Sequence, residues 1–329
     1  MTMLSSGNEI VKLGYDQSQS IVERLDEAEQ KIFAIRHQSQ LDNEPRLIGE
    51  ISATTFEEIE RLSTGEQQDN IPTGFYDLDT MLGGGFQGGQ LAVVAARPSM
   101  GKSALGHQFA YTISLAHEAP TMVFSLEMSA KEINRRFIAY ESRIPTNYLK
   151  SGKLSPTQWV PLSEEIARVH EAKMVIDDTA SQTLVKIRSK VRTVIMKHGS
   201  LKLVVIDYLQ LMVDEGERQL AQRVGELTRG LKLLARECDV PIILLSQLNR
   251  GPETRTNKRP MLSDLRDSGR IEEDADLVLG LYRDEYYNPD SPDRGVAEVI
   301  ILKNRNGQTG TVKLLFYAQF TWFKNLARF

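Results

Sequence analysis

The rhythm of apolar positions changes along the chain. Residues 1 to 15 show no periodicity and read as a loose end. Ile21, Leu25, Ala28, Ile32 and Ile35 then recur at intervals of four, three, four and three residues, with charges between them. That spacing predicts a helix over 20–37 whose narrow apolar stripe wants a partner. The polar run 38–46, with Pro45, breaks the pattern. Thr54 and Glu57 have the spacing of a capping box ahead of Phe56, Ile59 and Leu62, and Gly65 is placed to end that short helix. A second polar linker follows over 66–70.

From residue 71 onward, continuous apolar, β-branched runs alternate with helical patterns. Strands are expected at 91–96, 121–127, 202–208, 241–247 and 275–283, and helices at 102–116, 130–142, 183–197 and 217–238. Continuous apolar runs suit parallel strands buried on both faces, so the fold class is α/β, with a doubly wound, mostly parallel sheet. The end differs. The runs 296–305 and 311–323 flank a turn over Asn306–Gly310, which predicts a β-hairpin.

Composition narrows the class without naming a chemistry. The 329 residues are 41% hydrophobic and 26% charged, with 23 Gly and 12 Pro, which excludes collagen-like and wholly disordered chains. Cys238 is the one cysteine, so no disulfide closes within the chain and no cysteine zinc site forms; any metal must take oxygen ligands, and a reducing compartment is expected. No run approaches the roughly 20 apolar residues of a membrane span, so no membrane association and a cytoplasmic location are expected. A net charge of −4 argues against a uniformly basic nucleic-acid coat but leaves room for a local basic groove.

The sharpest chemical signal is Ala96-Arg97-Pro98-Ser99-Met100-Gly101-Lys102-Ser103, which follows an expected strand and opens an expected helix. A loop wrapped round a phosphate points backbone N–H groups inward, and the helix adds its positive end. Ser99, Met100, Gly101, Lys102, Ser103 and Ala104 are therefore candidate nucleotide positions. Gly101 is expected to leave room for phosphate, Lys102 to reach the β and γ oxygens of ATP, and the Ser103 hydroxyl to hold Mg²⁺. Position 96 carries Ala where the strict pattern has Gly. Leu203-Val204-Val205-Ile206-Asp207 is an apolar strand ending in a carboxylate, the form of the second magnesium-holding residue in such ATPases. Glu127, at the tip of the expected strand 121–127 that follows the helix at 102–116, is placed to polarise an attacking water.

With these residues in view, the sequence resembles the DnaB family of hexameric replicative DNA helicases. The matching strings are ARPSMGKS (96–103), FSLEM (124–128), IDYLQLM (206–212), LSQLNR (245–250), KRPMLSDLRDSGRIEEDAD (258–276) and KNRNGQTG (303–310), in family order over 71–325. The resemblance implies a RecA-like ATPase domain at 66–329, a helical linker at 20–65 that packs on a neighbouring subunit, and a loose N-terminus at 1–19. It implies that Glu127 is the catalytic base, that Gln247 senses the γ-phosphate, and that Arg136 contacts the phosphates of its own subunit. Lys303 and Arg305 would enter the adjacent subunit's site; cations at i and i+2 on a strand do share a side.

The segment Asn249–Arg270 carries six cations against three acids, and its Gly and Pro content reads as loop. Repeated six times around a pore, such a loop would track a phosphate backbone. The resemblance assigns single-stranded DNA contacts to Arg266, Asp267 and Gly269. It implies a homo-hexamer moving 5′ to 3′ at replication forks in the nucleoid. The linker-like helix lies near the start, so a separately encoded N-terminal domain is an expected partner, and the resemblance adds a helicase loader or a primase. On the residues alone, another RecA-like ATPase, a recombinase or ring ATPase, and a non-motor ATP-binding regulator stay open.

Overall fold

The computed structural model describes residues 3–15, 20–37, 47–64, 70–116, 119–207, 217–265 and 268–326. Two units cluster separately: Met1–Asp69 with Thr183–Lys197, and Asn70–Gln182 with His198–Phe329.

The first unit holds α1 (Met3–Tyr15), α2 (Ile21–His37), α3 (Ile48–Ser63) and nearly all of α9 (Leu184–His198). Residues 3–15, expected as a loose end, are helical. Gly7 and Gly14 depress the intrinsic propensity there, and the missing signal is tertiary: α1 packs on α2, with Glu9 and Lys31 paired at 2.6 Å. On α2, Asp26 pairs at 3.1 Å with Arg192 of α9, whose side chain is 1% exposed. The capping box at Thr54 does not form. Thr54 and Thr55 instead donate back to the Ile51 carbonyl at 2.8 and 2.9 Å, so one continuous helix runs through them. Gly65 lies outside the described residues. Ile48, Ile51, Phe56 and Ile59 of α3 share one face and are exposed.

The second unit is built on nine strands: β1 (Leu91–Ala96), β2 (Thr121–Ser125), β3 (Met174–Asp177), β4 (Leu203–Asp207), β5 (Ile242–Gln247), β6 (Leu277–Tyr282), β7 (Val296–Asn304), β8 (Gly310–Tyr317) and β9 (Trp322–Asn325). Their order is β3-β2-β4-β5-β1-β6-β7-β8-β9, parallel from β3 to β6 and antiparallel thereafter. Its helices are α4 (Tyr76–Met81), α5 (Lys102–Ala116), α6 (Ala130–Glu141), α7 (Thr146–Ser151), α8 (Trp159–Glu171), α10 (Glu217–Cys238), α11 (Gly251–Thr254), α12 (Ser268–Asp274) and α13 (Asp284–Tyr287). Ala92, Val94 and Ala96 belong to the cluster that contains Leu105 and Phe109 of α5; Leu91, Val93 and Ala95 are also fully buried and point the other way. Burial on both faces is why these strands lack polar alternation.

All five expected parallel strands are present. A sixth, β3, carries no sequence signal, because four residues at a sheet edge are too few to show a pattern. The run 311–323 is two strands, not one: β8 ends at Tyr317 and the chain turns through Thr321, at φ 54°, into β9. A β-branched residue in the left-handed region gives no turn signature.

Candidate nucleotide site

β1 delivers the chain to the phosphate loop and α5 carries it away. Ser99 has φ 65° and Gly101 φ 103°. A Cβ on Gly101 would stand 2.9 Å from the Phe323 ring and 3.4 Å from Phe316. The glycine thus answers a backbone conformation and the aromatic wall behind the loop. Arg97 braces the loop through the Leu248 carbonyl at 2.8 Å and Glu253 at 3.0 Å, while Arg283 donates to the Ser99 carbonyl at 3.3 Å. Met100 is buried in the core, so its side chain is turned from the loop's open face. Ala96 is fully buried at the end of β1, where its methyl packs in the core.

Sheet register sets the chemistry in a row. Ala96 is opposite Gln247, and Asp207 is opposite both Leu245 and Ser125. β5 lies between β4 and β1, so Gln247 stands between the metal-type carboxylate and the phosphate loop. The Leu126 N–H donates to the Asp207 carbonyl at 2.7 Å, and Ser125 Oγ donates to the Met128 carbonyl at 2.7 Å. Those bonds end β2 two residues before its expected limit and pin the bend in which Glu127 is exposed.

Asp207 is fully buried, with Lys102 Nζ 2.8 Å from Oδ1 and His107 Nε2 3.4 Å from Oδ2. Burial alone would raise its carboxyl; His107 and Lys102 outweigh that and hold it well below the usual carboxylate range. Oδ2 has no hydrogen-bond partner. A buried, ionised oxygen whose nearest polar neighbour is His107 at 3.4 Å, with Ser103 next to Lys102 at the head of α5, is a fit for a hard cation that completes its shell with phosphate and water. Among the described residues no cluster of three or more His, Cys, Asp or Glu offers a self-sufficient metal cage.

A cavity of about 330 Å³ is lined by Ser99, Gly101, Lys102, Ser103, Ala104, Glu127, Arg136 and Gln247, together with Phe316 and Thr321. Burial pushes the Arg136 guanidinium down from its ordinary value, against the pull of Asp207, Glu132 and Glu127. Phe316 and Thr321 were not anticipated. Phe316 sits in an alternating strand run and reads as core, yet its ring forms a cavity wall with the Arg283 guanidinium 4.0 Å from its centroid.

Lys303 and Arg305 do not line this cavity. They share a side, as expected, and both reach the C-terminal turn of α12: Lys303 donates to the Glu272 carbonyl and Arg305 to the Glu273 carbonyl, while Arg305 Nη1 lies 3.1 Å from Asp276 Oδ1. Burial lowers the Lys303 ammonium from its ordinary value, and Arg305 adds to that, against Asp276, Glu272 and Asp274.

The segment 249–270 is more ordered than its composition suggested. It contains α11, a 3₁₀ turn at Leu262–Asp264 and the start of α12, and Leu265 bridges Leu248. Arg255 pairs with Asp264 at 2.6 Å and Arg259 with Glu298 at 2.6 Å, so these two cations are neutralised inside the fold. Arg250 and Arg270 are exposed, as is Gly269 in the first turn of α12. Arg266 and Asp267 lie outside the described residues.

The family described as DnaB-like helicase C terminal domain matches residues 70–325. The chain is 41% identical over 332 residues to the replicative DNA helicase DnaB of Geobacillus stearothermophilus, covering 99% of this chain and 72% of that protein. It is 39% identical over 331 residues to the replicative DNA helicase DnaB of Leifsonia xyli, covering 99% and 71%. Among solved structures, a chain described as an ATPase domain superposes with TM-score 0.81 at 38% identity, covering 86% of this chain and 100% of that one. A DnaB-like replicative helicase, from a structure that also describes its interactions with primase, gives TM-score 0.81 at 34% identity, covering 98% and 75%.

Proposed function

This chain belongs to the DnaB-like helicases, and from that premise we propose that its ATP is bound and cleaved at a seam between two copies of the chain. The protein is an ATP-dependent replicative DNA helicase. The phosphate-loop amides and Lys102 grip the β and γ phosphates, Glu127 accepts the proton of the attacking water, Arg136 balances charge from the same subunit, and Gln247 reads the γ-phosphate position between them. Ser103 and Asp207 would hold Mg²⁺, which supplies charge neutralisation on the phosphates when bound. Phe316 offers its ring to the base. Arg305 and Lys303 serve the neighbouring copy's nucleotide.

The observation that carries the seam is that this cationic pair stands outside its own chain's cavity. Six copies in a ring would present Gly269, Arg266 and Asp267 to single-stranded DNA, and a loader or a primase fits as a further partner. Location at replication forks in the cytoplasm accords with the described helices, none of which is long and apolar enough to cross a membrane. The test is complementation. Arg305→Ala and Lys102→Ala should each lose hydrolysis, and a mixture should regain it, because roughly a quarter of randomly formed seams then join an intact pocket to an intact arginine. Full turnover by Arg305→Ala alone, or a mixture as dead as its parts, would refute the seam.

A further inference from the structure

Asp276 occupies an unusual crossing of contacts. Its backbone N–H donates to the Leu91 carbonyl at 2.9 Å, and its Oδ2 accepts from the Leu91 N–H at 2.8 Å and from Lys232 Nζ at 2.7 Å. The carboxylate is therefore fixed at the foot of β1, the strand that leads into the phosphate loop. On its other side, its carbonyl accepts from the Arg305 N–H at 2.9 Å and its Oδ1 faces Arg305 Nη1 at 3.1 Å. The last turn of α12 adds two orphan carbonyls, Glu272 to Lys303 and Glu273 to Arg305, at the helix end where cations are favoured.

An arginine one residue beyond a strand end would otherwise sample many rotamers. Here its backbone and both terminal nitrogens are engaged by groups anchored in the sheet. We propose that Asp276, with the C-terminal carbonyls of α12, is the positioning element for Lys303 and Arg305: it holds the pair oriented and charge-balanced until a neighbouring copy's phosphates take it over. Asp276 touches no reacting atom and acts through Arg305, while the Glu272 carbonyl holds Lys303. The inference deepens the seam reading and rests on it.

The experiment uses full-length chains. Asp276→Asn should lower kcat for ATP at least tenfold with KM within twofold, because the pocket of the variant subunit is untouched. Mixed with Lys102→Ala it should regain turnover, since Lys102→Ala subunits contribute correctly held arginines to Asp276→Asn pockets. Lys232→Met, which removes the other ion pair and leaves Arg305 in place, should stay near wild type. Normal turnover by Asp276→Asn overturns the proposal. So does a mixture that stays dead while the Arg305→Ala mixture recovers, for the defect then lies in the variant's own β1 and pocket. Failure of the Arg305→Ala mixture as well places the fault with the seam instead. Should Asp276→Asn not fold, as judged by thermal unfolding, Asp276→Glu answers the same question: a displaced carboxylate should give reduced turnover that Lys102→Ala restores, and wild-type turnover would leave Asp276 a purely structural role.

Discussion

Asp207 carries a negative charge where burial by itself favours the neutral acid, and it does so because Lys102 and His107 face its two oxygens. A carboxyl held below its unfolded value contributes stability that is complete above about pH 4 and is lost as pH falls toward the folded value. With the unfolded group near 3.9, the loss by about pH 3 amounts to about 1 kcal/mol. Asp207→Asn should therefore flatten the acid limb: between about pH 6 and pH 3 the wild type should lose about 1 kcal/mol more unfolding free energy than the variant, measured by urea denaturation. Equal losses would show that the partners do not hold the charged form. Lys102, Ser103, Glu127, Asp207 and Gln247 were legible from sequence because each ends an apolar run or, for Lys102 and Ser103, follows the loop that leaves one, and in an α/β sheet those ends converge. Arg283 and Phe316 were not, since a strand arginine and a strand aromatic look alike whether they face solvent, core or ligand.

Elements explain what single residues do not. β8 and β9 back the phosphate loop, with Phe323 and Phe316 tilted together 4.7 Å apart behind Gly101, while Phe316 also walls the cavity. An aromatic face with a stacked arginine is worth about 0.5–1.5 kcal/mol beyond burial. Phe316→Leu, which keeps bulk and discards the ring, should raise KM for ATP about three- to tenfold and leave kcat within about twofold; steady-state ATPase titration checks it, and an unchanged KM removes the base from that wall. The long strands and helices of this unit were readable because their hydrophobic period spans many residues. The turn at Thr321 and the strand β3 were not, because one uses a residue that avoids left-handed backbone and the other is too short to show a period. The segment around α12 is more ordered than its Gly and Pro content suggested, in part because Asp264 and Glu298 pair with Arg255 and Arg259, two of its six cations.

At the scale of the whole molecule, the first unit presents what a ring needs. Of the two helices, α2 pairs Asp26 with Arg192 of its own chain yet leaves Ile21, Leu25 and Ile32 of its apolar stripe exposed, and α3 leaves Ile48 77% and Phe56 67% exposed on one face. Within the proposed ring, the α3 face is assigned to apolar surface on a second copy. Phe56→Asp with Ile59→Asp should convert a six-chain species into single chains on a sizing column with ATP present, while circular dichroism keeps its helical signal; an intact ring would place the contact elsewhere. One further consequence comes from the antiparallel edge of the sheet. The same three strands supply the aromatic backing of one pocket and, through β7, the cations that the proposed seam assigns to another. On that reading one sheet edge belongs to two fuel chambers, and discharge at one seam would bias its successor through shared architecture, without a separate timing device.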